Sequence, residues 1–134
     1  MKKRMLFVGL GGLLGAILRY QIAELPNLMV LNEVNYQIMI ANIIGCFILS
    51  FITRLVIDIK IPNWFKLFIA TGFCGALTTF SSLCKELVRI LALKEVNTFI
   101  VYLLLSIALG IFAIILGELV ADKVVKKTVL KEAQ

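Results

Sequence analysis

The chain has 134 residues, of which 61% are hydrophobic, and it carries a formal net charge of +6 without any histidine. Its mean hydropathy is +1.03, and its apolar share exceeds the roughly 45–50% of a soluble globular domain. The apolar residues collect in four blocks, which indicates a single membrane domain over residues 1–134. Because the basic residues flank these blocks, membrane topology explains the positive charge better than nucleic-acid binding does.

The three cysteines, Cys46, Cys74 and Cys84, all lie inside apolar blocks, and no two of them form a CxxC pair. Without histidine a zinc site is not expected, and we interpret these cysteines as small apolar side chains. No nucleophile stands beside a base, and no two carboxylates pair within a span. The sequence therefore does not predict an enzyme.

The first apolar block follows a basic start, Lys2, Lys3 and Arg4. This pattern also occurs in signal peptides, but three further blocks and the lack of a small-residue cleavage site favour a retained helix over residues 5–23. Arg19 lies within that helix, where a charge is costly. It either faces a partner or a watery vestibule, or snorkels to the interface.

A polar loop separates the first block from the second span, which covers residues 36–53. The loop residues that indicate this are Pro26, Asn27, Asn32 and Glu33. A short turn with Lys60, Pro62 and Trp64 leads to the third span, residues 67–84; proline favours the turn and tryptophan the membrane interface.

The third span continues as a helical region that emerges into water, and a turn at residues 94–97 precedes the fourth span, residues 98–117. An amphiphilic basic tail completes the chain. The predicted fold is therefore an all-α membrane protein with four transmembrane helices.

Lysine and arginine are distributed unevenly between the two sides of these spans. With four spans, both termini and the 54–66 turn share one side, which holds ten of the 14 basic residues. These are Lys2, Lys3, Arg4, Arg54, Lys60, Lys66, Lys123, Lys126, Lys127 and Lys131. The bias predicts that both termini are cytoplasmic.

Small residues recur four apart in the first two helices, and small residues let helix backbones approach closely. The pairs are Gly11 with Gly15, Gly12 with Ala16, and Ala41 with Gly45. A dinucleotide-binding glycine motif does not fit, because no strand precedes these glycines and the spacing differs. We therefore predict helix packing at Gly11, Gly12, Gly15 and Gly45.

Three polar side chains at membrane depth are candidates for function. Asn42 needs a partner, either another helix or a passing solute. Tyr102 and Ser106 lie four apart on one face of the fourth helix, although Ser106 could also bond back to its own helix.

The stretch at residues 72–82 holds two glycines and four hydroxyl side chains within an apolar span. Non-helical backbone at membrane depth is tolerated only where protein buries it or where it lines a wet cavity. Gly75, Thr78 and Thr79 favour local unwinding, and the freed carbonyl oxygens suit a hard cation such as Na⁺. Phe80 follows directly; its positive ring edge suits an anion, while lipid contact or core packing is the plainer interpretation.

Taken together, these residues resemble the CrcB/Fluc family of small fluoride channels. The resemblance covers essentially the whole chain, with the motifs in the right order. The motifs are Gly12-x-x-Gly15-Ala16-x-x-Arg19-Tyr20, Asn42-x-x-Gly45-x-Phe47 and the run from Thr71 to Ser81. The resemblance implies an antiparallel dimer in a prokaryotic cell membrane, with two fluoride pores at the interface, a central structural Na⁺ and passive export of fluoride.

The resemblance also implies roles for individual residues. Asn42 would donate to fluoride in the pore, and Phe80 would present its ring edge to the ion. Gly75 and Thr78 would offer backbone carbonyls to Na⁺ from both subunits. Arg19 would lie at a vestibule. A polar track would be lined by Tyr102 and Ser106.

The chain departs from the family pattern at Leu83, where a second phenylalanine is usual. The strong Lys/Arg bias is a second departure, because a subunit that inserts both ways should show little bias. We therefore hypothesise a fixed orientation and pairing with an oppositely oriented homologue; a homodimer is the other arrangement. The alternative function is a small membrane transporter, or a packing subunit of a larger complex, unrelated to fluoride.

Overall fold

The structure is a computed structural model that describes residues 2–25, 30–31, 34–59 and 61–132. Within these residues four helical stretches are long and apolar enough to cross a membrane: Lys2–Ala23, Tyr36–Ile57, Asn63–Ala92 and Val96–Thr128. Each predicted span lies inside one of them, so the prediction of a four-helix membrane protein is confirmed. The loop and turn residues that lie outside the described residues are Pro26, Asn27, Asn32, Glu33 and Lys60.

The first two helices are joined by a short strand pair rather than by a plain loop. Helix α1 (Lys2–Ala23) is followed by β1 (Val30–Leu31) and β2 (Val34–Asn35), which pair antiparallel with Val30 opposite Asn35. Strand β2 leads directly into α2 (Tyr36–Asp58). The sequence predicted a loop here because two-residue strands carry no detectable period.

The third membrane stretch consists of several helical pieces. Helix α3 (Asn63–Lys66) continues as a π-helical segment, Leu67–Cys74, and then as α4 (Gly75–Leu77). After Thr78 and Thr79 the chain resumes helix as α5 (Phe80–Ala92).

The last helix, α6, runs from Val96 to Glu132. Its 37 residues span about 55 Å, well beyond a hydrocarbon core of about 30 Å. The predicted basic tail is therefore a helical continuation of the fourth span through residue 132. Lys94 in the turn before α6 has a positive φ of 60°.

Among the described residues, most of the buried apolar side chains form three small clusters between the helices. The clusters are Val34, Met39, Ile90 and Tyr102; Ile22, Ala41 and Leu77; and Leu55, Ala121 and Val125. Large apolar side chains are exposed along α1, α5 and α6, as expected for helices that face lipid.

Glycines on α1 and α2 allow close approach to the third membrane stretch. A Cβ added at Gly11 would meet the carbonyl oxygen of Phe68, and one at Gly15 the carbonyl oxygen of Phe73. On α2, a Cβ at Gly45 would meet Cγ2 of Thr78. Gly12 has more room, since its nearest such contact is the Gly72 carbonyl oxygen at 3.8 Å.

Candidate functional site

Asn42 on α2 contacts the interruption of the third membrane stretch. Thr78 and Thr79 are extended, with φ/ψ of −81°/145° and −150°/113°. The Thr79 amide N–H donates to Oδ1 of Asn42 at 2.8 Å, and Nδ2 of Asn42 lies 3.5 Å from the Thr79 carbonyl oxygen. A polar side chain at membrane depth needs a partner, and the Thr79 backbone supplies one for Asn42.

The interruption redirects two backbone donors. In an uninterrupted α-helix the N–H of Thr79 would bond to the carbonyl of Gly75, and that of Ser82 to the carbonyl of Thr78. Here Thr79 donates to Asn42 instead, and Ser82 donates to Oγ1 of Thr79 at 3.2 Å. Thr79 thus acts as the N-cap of α5, and both carbonyls lose their usual helical donor.

Phe80 is the first residue of α5 and lies directly after the interruption. Its side chain is 78% exposed, whereas most phenylalanines bury their rings when a partner surface is available. The structure therefore does not place Phe80 in the core of the single chain. It places the ring on the outer surface, one residue from the Asn42–Thr79 contact.

Tyr102 is buried inside the subunit, and Ser106, one turn further along α6, is partly buried. Tyr102 is 1% exposed, and its hydroxyl donates to the carbonyl oxygen of Asn35 at 3.0 Å. The Ser106 hydroxyl donates back to the Tyr102 carbonyl oxygen at 2.8 Å, the local bond expected of serine in a helix. Both hydroxyls therefore have a backbone partner within the single chain.

Arg19 lines a cavity of about 640 Å³ at the end of α1 and the start of α2. Lys85 and Arg89 also line it, together with the carboxylate residue Glu86. The hydroxyl residues Thr79 and Ser82 connect the cavity to the interruption. The cavity is thus lined by three cationic side chains and one carboxylate, and it extends to Thr79. The vestibule role of Arg19 stays a prediction.

Leu83, the departure from the family pattern, is partly buried. It packs against the cluster that contains Met39 and Tyr102, while Phe80 one turn earlier points outward. The two positions therefore face different surroundings in this chain.

Comparisons with known proteins identify the family of the chain. Residues 6–118 match the family described as CrcB-like protein, Camphor Resistance (CrcB). The chain belongs to this CrcB-like family. The resemblance stated from the motifs is thereby confirmed.

Several curated relatives of the CrcB-like chain are named fluoride-specific ion channel FluC. The protein from Acidobacterium capsulatum is 36% identical over 90% of this chain and 97% of its own length. That from Azobacteroides pseudotrichonymphae is 30% identical over 91% and 98%. That from Ignicoccus hospitalis is 33% identical over 92% and 99%.

Glu86 is a site residue of the CrcB-like chain that sequence reasoning missed. It is only 4% exposed, and its Oε1 accepts from the Asn35 N–H at 2.8 Å and lies 3.6 Å from Nη1 of Arg89. Asn35 therefore bonds to Glu86 through its N–H and to the Tyr102 hydroxyl through its carbonyl. This network links the cavity wall to Tyr102. Glu86 and Ile90 lie four positions apart and therefore share one face of α5. This spacing is the sequence signal that could have identified Glu86 as buried.

Proposed function

We propose that the chain is a subunit of a fluoride-selective channel that lets toxic fluoride leave the cytoplasm passively. The observation that supports this most is the exposed Phe80 ring beside the interruption held by Asn42, in a CrcB-like chain whose relatives are named fluoride channels. All these relatives are ion channels, which favours transport over catalysis.

The chemistry of the site suits a small anion. Fluoride is strongly hydrated, so a selective pore must replace its water with donors while binding weakly enough to release it. In this proposal the second Nδ2 hydrogen of Asn42 and the positive edge of Phe80 replace part of the shell. Arg19, Lys85 and Arg89 raise the local anion concentration in the cavity. Ser106, which is partly buried, would line the path further along, whereas the Tyr102 hydroxyl is held by Asn35 inside the subunit.

The functional unit in this proposal is an antiparallel dimer. The Phe80 ring is exposed on the surface of one subunit. It would line an enclosed ion path only if a second subunit covered it. A chain with only four membrane-spanning stretches can hardly enclose a pore by itself.

The interruption also offers a site for a structural Na⁺. The carbonyl oxygens of Gly75 and Thr78, whose usual helical donors bond elsewhere, form an all-oxygen donor set that fits a hard cation. Two carbonyls from one chain leave a cation incompletely coordinated, and a second subunit would supply the others. Bound there, Na⁺ would hold the two interrupted helices together and take no part in transport.

We further propose that both termini are cytoplasmic and that the subunit has one orientation. Arg4 and Asn63 line one crevice, and Arg54 on α2 pairs with Asp122 on α6 at 2.7 Å, so these basic segments share one end of the molecule. Arg19, Lys85 and Arg89 lie at the other end. The unequal count favours a fixed orientation and pairing with an oppositely oriented homologue.

Reconstitution into liposomes tests the function. Purified protein, alone and together with an oppositely oriented homologue, should support fluoride efflux without chloride efflux. If neither preparation conducts fluoride, the channel proposal is wrong and an unrelated transporter or packing subunit becomes the better explanation.

Two further measurements test the finer parts of the proposal. Replacing Na⁺ with N-methylglucamine should abolish efflux. Unchanged efflux would contradict the proposal that a structural Na⁺ is required. A C-terminal topology reporter should give a signal only in the cytoplasm. Equal signals on both sides of the membrane would contradict the fixed orientation and favour the homodimer.

A further inference from the structure

Along the outer face of α6, the exposed side chains change from apolar to basic. Leu116 and Leu119 are exposed, and Lys123, Lys126 and Lys127 follow at helical spacing on the same face. Residues three and four apart are neighbours on a helix surface. The stripe, defined as Leu116, Leu119, Lys123, Lys126 and Lys127, thus passes from apolar to cationic within one turn, a rise of about 6 Å.

This part of α6 is fixed in place by α2. Ala121 and Val125 are buried against Leu55, and Asp122 pairs with Arg54 at 2.7 Å. Gly117 allows the close approach, since a Cβ there would lie 2.6 Å from the Phe47 carbonyl oxygen. The lysines therefore stand on an extension of a membrane helix that packs on α2, and all three are exposed.

The acidic residues near the stripe point elsewhere. Asp122 is engaged with Arg54, and Glu118 lines a crevice that Arg54 also lines. Among the described residues, no carboxylate forms an ion pair with Lys123, Lys126 or Lys127. Three cations within one turn are left to find a counter-ion outside the subunit.

From this arrangement we infer that the stripe binds one anionic phospholipid of the surrounding leaflet. The acyl chains lie along Leu116 and Leu119, and the lysines hold the phosphate and headgroup. Lipid is the occupant because the lysines continue an apolar, membrane-facing surface at the depth where hydrocarbon gives way to headgroups. The inference is separate from fluoride transport, since none of these residues lines the site described above.

Native mass spectrometry of the purified full chain tests this inference. Phosphatidylglycerol and phosphatidylcholine with identical acyl chains are offered in competition, and the wild-type protein should retain phosphatidylglycerol preferentially. The triple variant Lys123→Gln, Lys126→Gln, Lys127→Gln should lose about a hundredfold of this preference, since each lysine near an anionic surface contributes about a factor of five. Replacing the same three lysines by arginine should preserve it.

A charge-matched control separates a site from net charge. Lys2→Gln, Lys3→Gln, Lys66→Gln removes three exposed lysines from the same end of the molecule but leaves the stripe intact, so it should keep the preference. Equal loss in the control, or unchanged retention in the stripe variant, would overturn the inference. So would a lipid-independent loss of the dimer in the stripe variant, because a second copy would then be the occupant. Fluoride efflux from neutral liposomes should be unaffected in both variants, which keeps this test independent of the channel proposal.

Discussion

Asn42 bonds to the backbone of Thr79, which lies 37 positions further along the chain, with 2.8 Å between Oδ1 and the Thr79 nitrogen. In a continuous helix the Thr79 N–H would bond to the carbonyl of Gly75. Because the backbone is extended at Thr78 and Thr79, Asn42 supplies the acceptor instead. Such a bond is needed because an unpaired N–H at membrane depth costs several kcal/mol. Asn42 therefore has a structural role in the single subunit whatever it does for an ion.

Replacing Asn42 with leucine should weaken the fold as well as transport. The Thr79 N–H loses its acceptor, which costs about 1–3 kcal/mol when the donor is buried. Denaturant titration of the detergent-solubilised protein should show this loss, and liposome assays should show slower fluoride efflux. Asn97→Leu changes an exposed asparagine and serves as control. Equal stability of the Asn42 variant and wild type would mean that the contact contributes nothing.

Replacing Phe80 with isoleucine should separate transport from stability. The ring is 78% exposed, so its loss removes little packing within the subunit. Aromatic contacts contribute about 0.5–1.5 kcal/mol, so efflux should fall by about two- to twelvefold, while the proposed dimer should stay intact in size-exclusion chromatography. Phe112→Ile, another exposed phenylalanine at 61%, should conduct normally. Wild-type rates for the Phe80 variant would indicate a lipid-facing ring.

The membrane spans could be anticipated from the sequence because hydropathy acts locally. The Asn42–Thr79 bond and the burial of Glu86 could not, since both depend on how helices pack across long sequence separations. Glu86 follows Lys85 and precedes Arg89, so its sequence neighbourhood resembles a solvated turn. In the proposed dimer the environment of Phe80 would depend on a second subunit, which a single chain does not specify.

Gly11 should tolerate no added methyl group, whereas Gly9 should. A Cβ at Gly11 would meet the Phe68 backbone, and one at Gly9 would have nothing within 4 Å. Gly11→Ala should therefore cost about 1–3 kcal/mol in overpacking, while Gly9→Ala should be neutral or slightly stabilising because alanine favours helix. Unfolding midpoints of the two variants give the comparison. Equal midpoints would show that α1 can move away from the π-helical segment at little cost.

Replacing Leu83 with phenylalanine, the residue usual in the family, should destabilise the subunit because Leu83 is packed inside it. Leu83 contacts the cluster of Met39, Ile90 and Tyr102, so a larger ring costs about 1–3 kcal/mol unless it finds space outside the cluster. Leu83→Met conserves volume and should cost less. If Leu83→Phe is as stable as wild type and conducts fluoride equally fast, the position opens toward the pore in the dimer.

Glu86 should act as a positioning residue for the start of α2. Glu86→Leu removes the acceptor of the Asn35 N–H, which costs about 1–3 kcal/mol and should speed hydrogen exchange at that amide. Because the Asn35 carbonyl accepts from Tyr102, the Tyr102 hydroxyl should lose its fixed partner at the same time. Glu86→Gln keeps an amide oxygen as acceptor and should retain slow exchange, although its charge is lost. Equally fast exchange in both variants would indicate that the negative charge, through Arg89, holds this corner rather than the bond to Asn35.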